Sequence, residues 1–238
     1  MAKASQRAPV LGPAFIRLLA RFNDEGTSPA APAVPERLAQ WFDWNRAITL
    51  SKALDNPPPA PEPGPDYDDA HDAECARVHA KLIDAIQADI ELAPPRNAAP
   101  ADAELPPGFA PYRQHYLNQQ RAMQTASGRL RGRLRDMLAR QSAAKARLAE
   151  VDAVMEATLS PREHTLLSHV PVLLGLHYQR LYDTAAHDPV DAPASEPPAA
   201  PTGPWLATFR QDLRIALLAE LDVRFHPING LLAALRTR

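Results

Sequence analysis

The chain has 238 residues, of which 26 are proline, and a formal net charge of −2 at pH 7. The prolines are concentrated in three tracts, so less of the chain is available for a hydrophobic core than its length suggests. The charge balance predicts no general attraction to nucleic acid or anionic membranes, and the single cysteine excludes an internal disulfide framework and a cysteine-based zinc cluster.

The apolar residues indicate an all-α protein. Many of them are alanines, and few β-branched residues stand in alternating runs, which argues against a sheet. The longest apolar run, residues 170–176, is far shorter than the roughly 20 residues that a membrane helix needs, so we expect no direct membrane insertion. The lack of an uninterrupted signal-peptide core predicts a cytoplasmic protein, with a transit peptide as the alternative interpretation of the basic start.

The N-terminal residues 1–54 predict a small helical subdomain. The apolar residues after Pro13 have the i, i+3, i+4, i+7 spacing of an amphipathic helix: Phe15, Leu18, Leu19 and Phe22. A second short helix is expected near Leu38 and a third over residues 47–54. Trp41 and Trp44 favour a small core that buries large side chains, and the alternative is an aromatic binding surface.

Proline-rich tracts divide the rest of the chain. Residues 55–66 predict an extended linker, and residues 67–238 predict a helical core domain. Within that domain, the tracts 93–110 and 186–203 are rich in proline and alanine. We expect both to be mobile connections without a core of their own.

The first helix of the core domain is expected to begin near Tyr67, with aspartates in its first turn. Its apolar face consists of Cys75, Val78, Leu82, Ile86 and Ile90. His71 and His79 flank Cys75 at four-residue spacing, but they lie about 12 Å apart along the axis. We therefore expect a buried cysteine between surface histidines, and no metal site.

The stretch from Tyr112 to Leu159 contains no proline and predicts one long basic helix. Apolar residues recur in it at every seventh position: Tyr116, Met123, Leu130, Met137, Ala144 and Val151. Such a heptad pattern is typical of a coiled coil, and the helix would be roughly 70 Å long. Gly128 and Gly132 are its weak points, so a break near Gly128 is the alternative.

Two further helices are expected after this stretch. Ser160, Pro161 and Glu163 have the pattern of a capping box and predict that a new helix begins there, which would form an αα-hairpin or an angled pair with the long helix. Pro171 predicts a kink in the new helix. The last helix is expected to begin near Pro204 and to end at His226 and Pro227, before a terminal helical turn that contains Leu231, Leu232 and Leu235.

Charge is segregated along the chain. Acids dominate residues 55–104, whereas residues 113–147 contain nine Arg or Lys and the single acid Asp136. Because like charges flank the heptad pattern, pairing of two parallel copies is disfavoured and an acidic partner is favoured. The partner is either the acidic helix of the same chain or another protein, and the candidate partner-binding residues are Arg129, Arg133, Arg140 and Arg147.

No motif in the sequence predicts catalysis. His164, His169 and His177 do not have the i, i+4 spacing of metalloprotease helices. Asp152 and Glu156 are four residues apart, but they belong to no catalytic motif with a serine or histidine. We therefore predict no enzyme, no cofactor, no metal ion and no small-molecule substrate.

Four stretches of the sequence resemble a known bacterial family. They are RLAQWFDWNRAITLSKAL (37–54), FAPYRQHYL (109–117), LAEVDAVMEATLSPREHTLLSHVPVLL (148–174) and LLAELDVRFHPINGLLAALR (217–236). The chain resembles the family called domain of unknown function 3348, which has no assigned activity and no catalytic residues. The resemblance implies a bacterial cytoplasmic protein whose gene tends to lie beside those of a membrane protein with a long soluble segment and an OmpA-like cell-wall-binding protein.

These observations favour a non-enzymatic helical scaffold or adaptor that binds another helical protein, such as the cytoplasmic part of a membrane or cell-envelope complex. The alternative is a nucleic-acid-binding protein whose arginines contact phosphates. No aromatic residues are interleaved with the arginines from Arg129 to Arg147, which argues against stacking on bases.

Overall fold

The computed structural model describes residues 14–23, 44–55, 67–88, 106, 108–187 and 203–237. The secondary-structure elements in these ranges are all helices, which confirms the all-α prediction: α1 (Ala14–Asn23), α2 (Trp44–Asp55), α3 (Asp69–Gln87), α4 (Ala110–Gln141), α5 (Ala143–Leu167), α6 (Val170–His187) and α7 (Pro204–Arg236). Within the same ranges, none of the helices has the length and apolar character needed to cross a membrane.

The prediction of one helix from Tyr112 to Leu159 is wrong, because the chain turns back at Ser142. Ser142 has an extended backbone (φ −160°, ψ 161°) and is the N-cap of α5, where its hydroxyl accepts a hydrogen bond from the backbone N–H of Lys145. Arg131 of α4 pairs with Asp152 of α5. Since these two residues lie at similar distances on either side of Ser142, α4 and α5 form an antiparallel hairpin.

The heptad pattern describes α4 but not α5. Its α4 members are buried: Tyr116, Met123, Leu130 and Met137. On α5, by contrast, Ala144 is exposed and Val151 is half-buried, while Ala146 and Ala149 are buried. The turn at Ser142 therefore changes which residues face the core. The predicted alternative, a break at Gly128, is also wrong, because α4 continues through that residue.

Two prolines that were expected to mark helix boundaries lie inside helices. α5 continues through Pro161, so no new helix begins at Ser160, and α7 continues through Pro227 as far as Arg236. A proline in a helix interior costs about 3 kcal/mol. Burial beyond Pro227 offsets this cost in α7 through Ile228, Leu231, Leu232 and Leu235.

The helix is interrupted just before Pro171, where the sequence predicted a kink. The chain leaves regular α-helix at Ser168 and His169, between α5 and α6. Pro171 has no N–H to donate to the carbonyl of Leu167. The Nε2 of Gln120 on α4 donates a hydrogen bond to this carbonyl instead, at 3.2 Å, so a side chain of the neighbouring helix replaces the missing helical bond.

Three long segments form the centre of the bundle. Tyr112 and Gln120 of α4 contact Phe209 and Glu220 of α7, so α4 and α7 run parallel. The contacts of α5 and α6 follow the opposite order along α7, across the interruption between them. The segment made of α5 and α6 is therefore antiparallel to both α4 and α7.

α3 lies along α4 and α7 and is antiparallel to both. On α4, Arg133 pairs with Glu74, and the Nε2 of Gln119 donates to the carbonyl of Ala85 at 3.2 Å. On α7, Arg236 pairs with Asp72 and Phe225 contacts the ring of His79. The buried residues of α3 belong to the predicted apolar face: Cys75, Leu82 and Ile86.

The two N-terminal helices contact different parts of the bundle. α1 packs against α6 and α7, with Phe15 and Phe22 buried as predicted, and α2 packs against α5. Trp44 at the start of α2 is 80% exposed, so the small-core interpretation is wrong for this residue because it faces solvent. Leu38 and Trp41 lie outside the described residues.

The predicted division of the chain into residues 1–54, 55–66 and 67–238 stays a prediction, as does the mobility of the two later tracts. At the end of the tract 93–110, Gly108 has a positive φ of 82°, a conformation that glycine adopts without strain. This turn places Phe109 in the core against Phe209 and Tyr178, where α4 begins.

Candidate functional site

The four candidate partner-binding arginines are all exposed, and we call them the outer arginines: Arg129, Arg133, Arg140 and Arg147. The first three lie on α4 at spacings of four and seven residues, which places them on one side of a helix with 3.6 residues per turn. Arg147 lies on α5, beyond the turn at Ser142. The structure therefore groups three of the four residues and separates the fourth.

The acidic helix α3 already contacts this side of α4. Arg133 pairs with Glu74 at 2.7 Å, and both side chains remain partly exposed. The expected attraction between acidic and basic segments is thus present within the chain. Arg129 and Arg140 form no ion pair with any other described residue.

A second set of arginines on α4 points towards α5. Arg131 binds Asp152 with two hydrogen bonds, of 3.0 and 2.7 Å, and Arg135 contacts Glu156 at 2.6 Å. Burial lowers the pKa of Arg131, but the hydrogen bond and charge of Asp152, with the charges of Glu156 and Glu163, outweigh burial and raise this pKa. Asp152 and Glu156, which belong to no catalytic motif in the sequence, are therefore ion-pair partners of arginines across the hairpin.

Glu220 of α7 is a carboxylate in the hydrophobic core, and its side chain is 0% exposed. It accepts hydrogen bonds from the Tyr116 hydroxyl at 2.8 Å, the Gln120 amide at 3.1 Å, and Nε and Nη2 of Arg224 at 2.9 and 2.7 Å. Four donors compensate the cost of burying one charge. Burial, together with the charge and hydrogen bond of Glu220, raises the pKa of Tyr116 well above its usual value.

Arg224 links Glu220 to Glu163, because its Nη1 lies 3.3 Å from Oε1 of Glu163. Glu163 is therefore not the capping residue that the sequence predicted, since α5 does not begin at Ser160. The ion pairs at the centre of the bundle involve seven residues, which we call the central charge network: Arg131, Arg135, Asp152, Glu156, Glu163, Glu220 and Arg224.

A cavity of about 480 Å³ lies beside this network, between α4, α5 and α7. Its polar lining includes Arg131, Glu156, Ser160, Glu163, His164 and Arg224. Its apolar lining includes Met155, Leu159, Val223 and Pro227. None of the outer arginines lines the cavity, so the charged surface and the cavity are two separate features.

In the part of the chain that the structure describes, no group of three or more His, Cys, Asp and Glu residues is placed to hold a metal ion. Cys75 is buried as expected, and burial, followed by the charge of Glu74, raises the pKa of its thiol. His71 and His79, predicted to be surface residues, are half-buried. The Nδ1 of His71 accepts a hydrogen bond from the backbone N–H of Asp68 at 3.3 Å, which completes the N-terminal cap of α3.

Sequence reasoning missed the pair between His177 of α6 and Asp212 of α7, whose Nε2 and Oδ2 atoms lie 2.8 Å apart. The ring of His177 also stacks on Phe22 of α1, with 4.7 Å between ring centroids. His164 and His169 are exposed and separate from this pair. Because Asp212 follows His177 by 35 residues, no local spacing indicated this contact between α6 and α7.

Comparisons with known proteins give one match. A family model described as protein of unknown function (DUF3348) matches residues 1–237. No curated protein and no solved structure matches the chain.

Proposed function

The chain belongs to the DUF3348 family of proteins of unknown function, and we propose that it is a non-enzymatic helical adaptor that binds an acidic helix of another protein along the outer arginines of α4. The ion pair between Arg133 and Glu74 carries this proposal. It supports the proposal, because an acidic helix of the same chain contacts this side of α4.

The distance between Arg129 and Arg140 sets the spacing of the carboxylates that a partner helix needs. The two arginines are eleven residues apart, which corresponds to roughly 16 Å, or three turns, along α4. A partner helix with carboxylates at the same separation can pair with both side chains. Exposed ion pairs contribute about 0–1 kcal/mol each, so these arginines select and orient the partner more than they strengthen its binding.

The cellular setting is part of the proposal. A cytoplasmic location and a partner in a membrane or cell-envelope complex both rest on the family resemblance. They agree with a mode of binding that uses an exposed helix side and inserts no part of the described chain into lipid.

Affinity purification of the tagged protein from its native cells, after crosslinking and with solubilised membranes included, tests the proposal. We expect one protein to copurify in stoichiometric amount and to be lost with the double substitution Arg129→Glu and Arg140→Glu. The matched control is Arg77→Glu with Lys81→Glu, which makes the same charge change on the exposed side of α3. Recovery of the same partner with both double variants, or of none with the unmodified protein, would contradict the proposal.

Chromatography on heparin and on immobilised RNA at low salt distinguishes the alternative function. Phosphate binding by the outer arginines predicts retention that weakens with salt and is lost in the Arg129→Glu and Arg140→Glu variant. The adaptor proposal predicts that the unmodified protein passes through both columns.

A further inference from the structure

The central charge network contains more negative than positive charge. Its cations are three arginines and its anions are four carboxylates, so one negative charge is left without a cation. This count covers arginines and carboxylates; His164 also lines the cavity.

The distances assign this uncompensated charge to Glu163. Asp152 is held by two hydrogen bonds from Arg131, and Glu156 lies 2.6 Å from Arg135. Glu163 has only a 3.3 Å contact with Nη1 of Arg224, and that guanidinium makes its two shorter hydrogen bonds to Glu220.

Glu163 also lies where a ligand can reach it. Its side chain is 41% exposed, whereas that of Arg224 is 9% exposed. Glu163 lines the cavity, together with the hydroxyl-bearing Ser160. A volume of about 480 Å³ is in the range of small-molecule sites.

Part of the cavity wall is apolar and suited to an alkyl chain, because it contains Met155, Leu159, Val223 and Pro227. Gly128 of α4 adds space, since no atom lies within 4 Å of the position that its Cβ would occupy. The cavity thus combines one carboxylate that lacks a full counter-charge with an apolar surface. Sequence patterns did not predict it, because it depends on three helices from distant parts of the chain.

We propose that this cavity binds a small aliphatic amine, whose ammonium group pairs with the carboxylate of Glu163 and whose chain packs against the apolar wall. A carboxylate or phosphate ligand is disfavoured, because the arginines of the cavity already bind carboxylates. Arg131 donates two hydrogen bonds to Asp152, and Arg224 donates two to Glu220. Such an anion would also be repelled by the carboxylate of Glu163, whose one ion pair is the 3.3 Å contact with Arg224. The proposal is independent of the partner-binding function.

Isothermal titration calorimetry with n-butylammonium chloride tests the proposal, using the full chain and sodium chloride at equal ionic strength as the reference. We expect saturable binding of butylammonium at one site, and no comparable binding of n-butanol or sodium butyrate. Glu163→Gln is expected to weaken butylammonium binding at least tenfold, because it removes the charged partner of the ammonium group. Glu150→Gln, which changes an exposed acid on the same helix, is expected to leave it unchanged.

Gly128→Leu provides a second test, because it fills the cavity from α4 and leaves the charges intact. We expect this variant to lose butylammonium binding, and circular dichroism with urea unfolding verifies that each variant is folded. Three results would overturn the proposal: no saturable binding of butylammonium, equal binding of butyrate, or binding that is unaffected by both Glu163→Gln and Gly128→Leu.

Discussion

At the residue scale, Glu220 is the most constrained charge among the described residues. It lies at the level where α4, the junction of α5 with α6, and α7 meet, and its donors come from α4 and α7. Gln120 donates both to Glu220 and to the Leu167 carbonyl that Pro171 leaves without a helical partner. The buried carboxylate of Glu220 is therefore linked, through Gln120, to the interruption between α5 and α6.

Substitution of Glu220 should destabilise the protein strongly. Glu220→Gln keeps one acceptor oxygen but removes the negative charge that Arg224 pairs with in the core, and removal of one charged partner of a buried ion pair costs about 3 kcal/mol or more. Urea unfolding measures this loss. Glu150→Gln, at an exposed position of α5, is the control and should change the free energy of unfolding by about 0.5 kcal/mol or less. Equal effects of the two substitutions would show that the Glu220 contacts contribute little.

Ionisation of Tyr178 makes the free energy of unfolding depend on pH in the alkaline range. Burial, followed by the charges of Tyr112 and Tyr182, raises the pKa of Tyr178 to about 12, whereas an unperturbed tyrosine titrates near pH 10. Above about pH 10 the unfolded chain therefore releases a proton that the folded protein retains, and the free energy of unfolding falls as the pH rises towards 12. The stabilising contribution is fully present below pH 10.

Tyr178→Phe removes this titration. Between about pH 9 and pH 11, the unmodified protein should lose about 1 kcal/mol more of its free energy of unfolding than the variant loses. Urea unfolding of both proteins at the two pH values measures the difference. Parallel losses in the two proteins would contradict the raised pKa.

At the element scale, glycines in two helices have opposite surroundings. An added Cβ at Gly128 of α4 meets no atom within 4 Å, whereas one at Gly175 of α6 would lie 3.1 Å from the ring of Phe109. That ring is fully buried, so it has little room to move. Gly128→Ala should therefore stabilise the protein by about 1 kcal/mol through helix propensity, and Gly175→Ala should destabilise it through overpacking. Thermal and urea unfolding measure the change in stability of each variant. A loss of stability with Gly128→Ala would contradict the finding that an added Cβ has open space there.

The helices themselves were predictable, but several of their boundaries were not. Phe15 and Phe22 of α1, the apolar face of α3 and the start of α7 at Pro204 follow from spacing and proline chemistry. The turn at Ser142 was missed, because it contains neither glycine nor proline and because the apolar residues continue in sevens beyond it. The boundaries expected at Pro161 and Pro227 were wrong, because helix formation and burial on both sides override the local cost of a proline.

At the scale of the whole molecule, the hairpin sorts the arginines of α4 into two sets. Arg131 and Arg135 face α5 and bind Asp152 and Glu156, whereas Arg129 and Arg140 remain exposed. The sequence showed the charge segregation and the exposed candidates. It could not separate inner from outer arginines, because that distinction depends on where the chain turns back. The central charge network and the cavity were missed for the same reason.

The most direct test of the account is the distance across the turn at Ser142, because the sorting of the arginines and the cavity both depend on this turn. Spin labels on cysteines at Thr125 and Ala157, both exposed, in a Cys75→Ala background report this distance by pulsed electron paramagnetic resonance. An antiparallel hairpin, with axes about 8–10 Å apart, predicts a single distance below about 25 Å. A distance of roughly 48 Å, which 32 residues of uninterrupted helix would give, would contradict the hairpin and every assignment that follows from it.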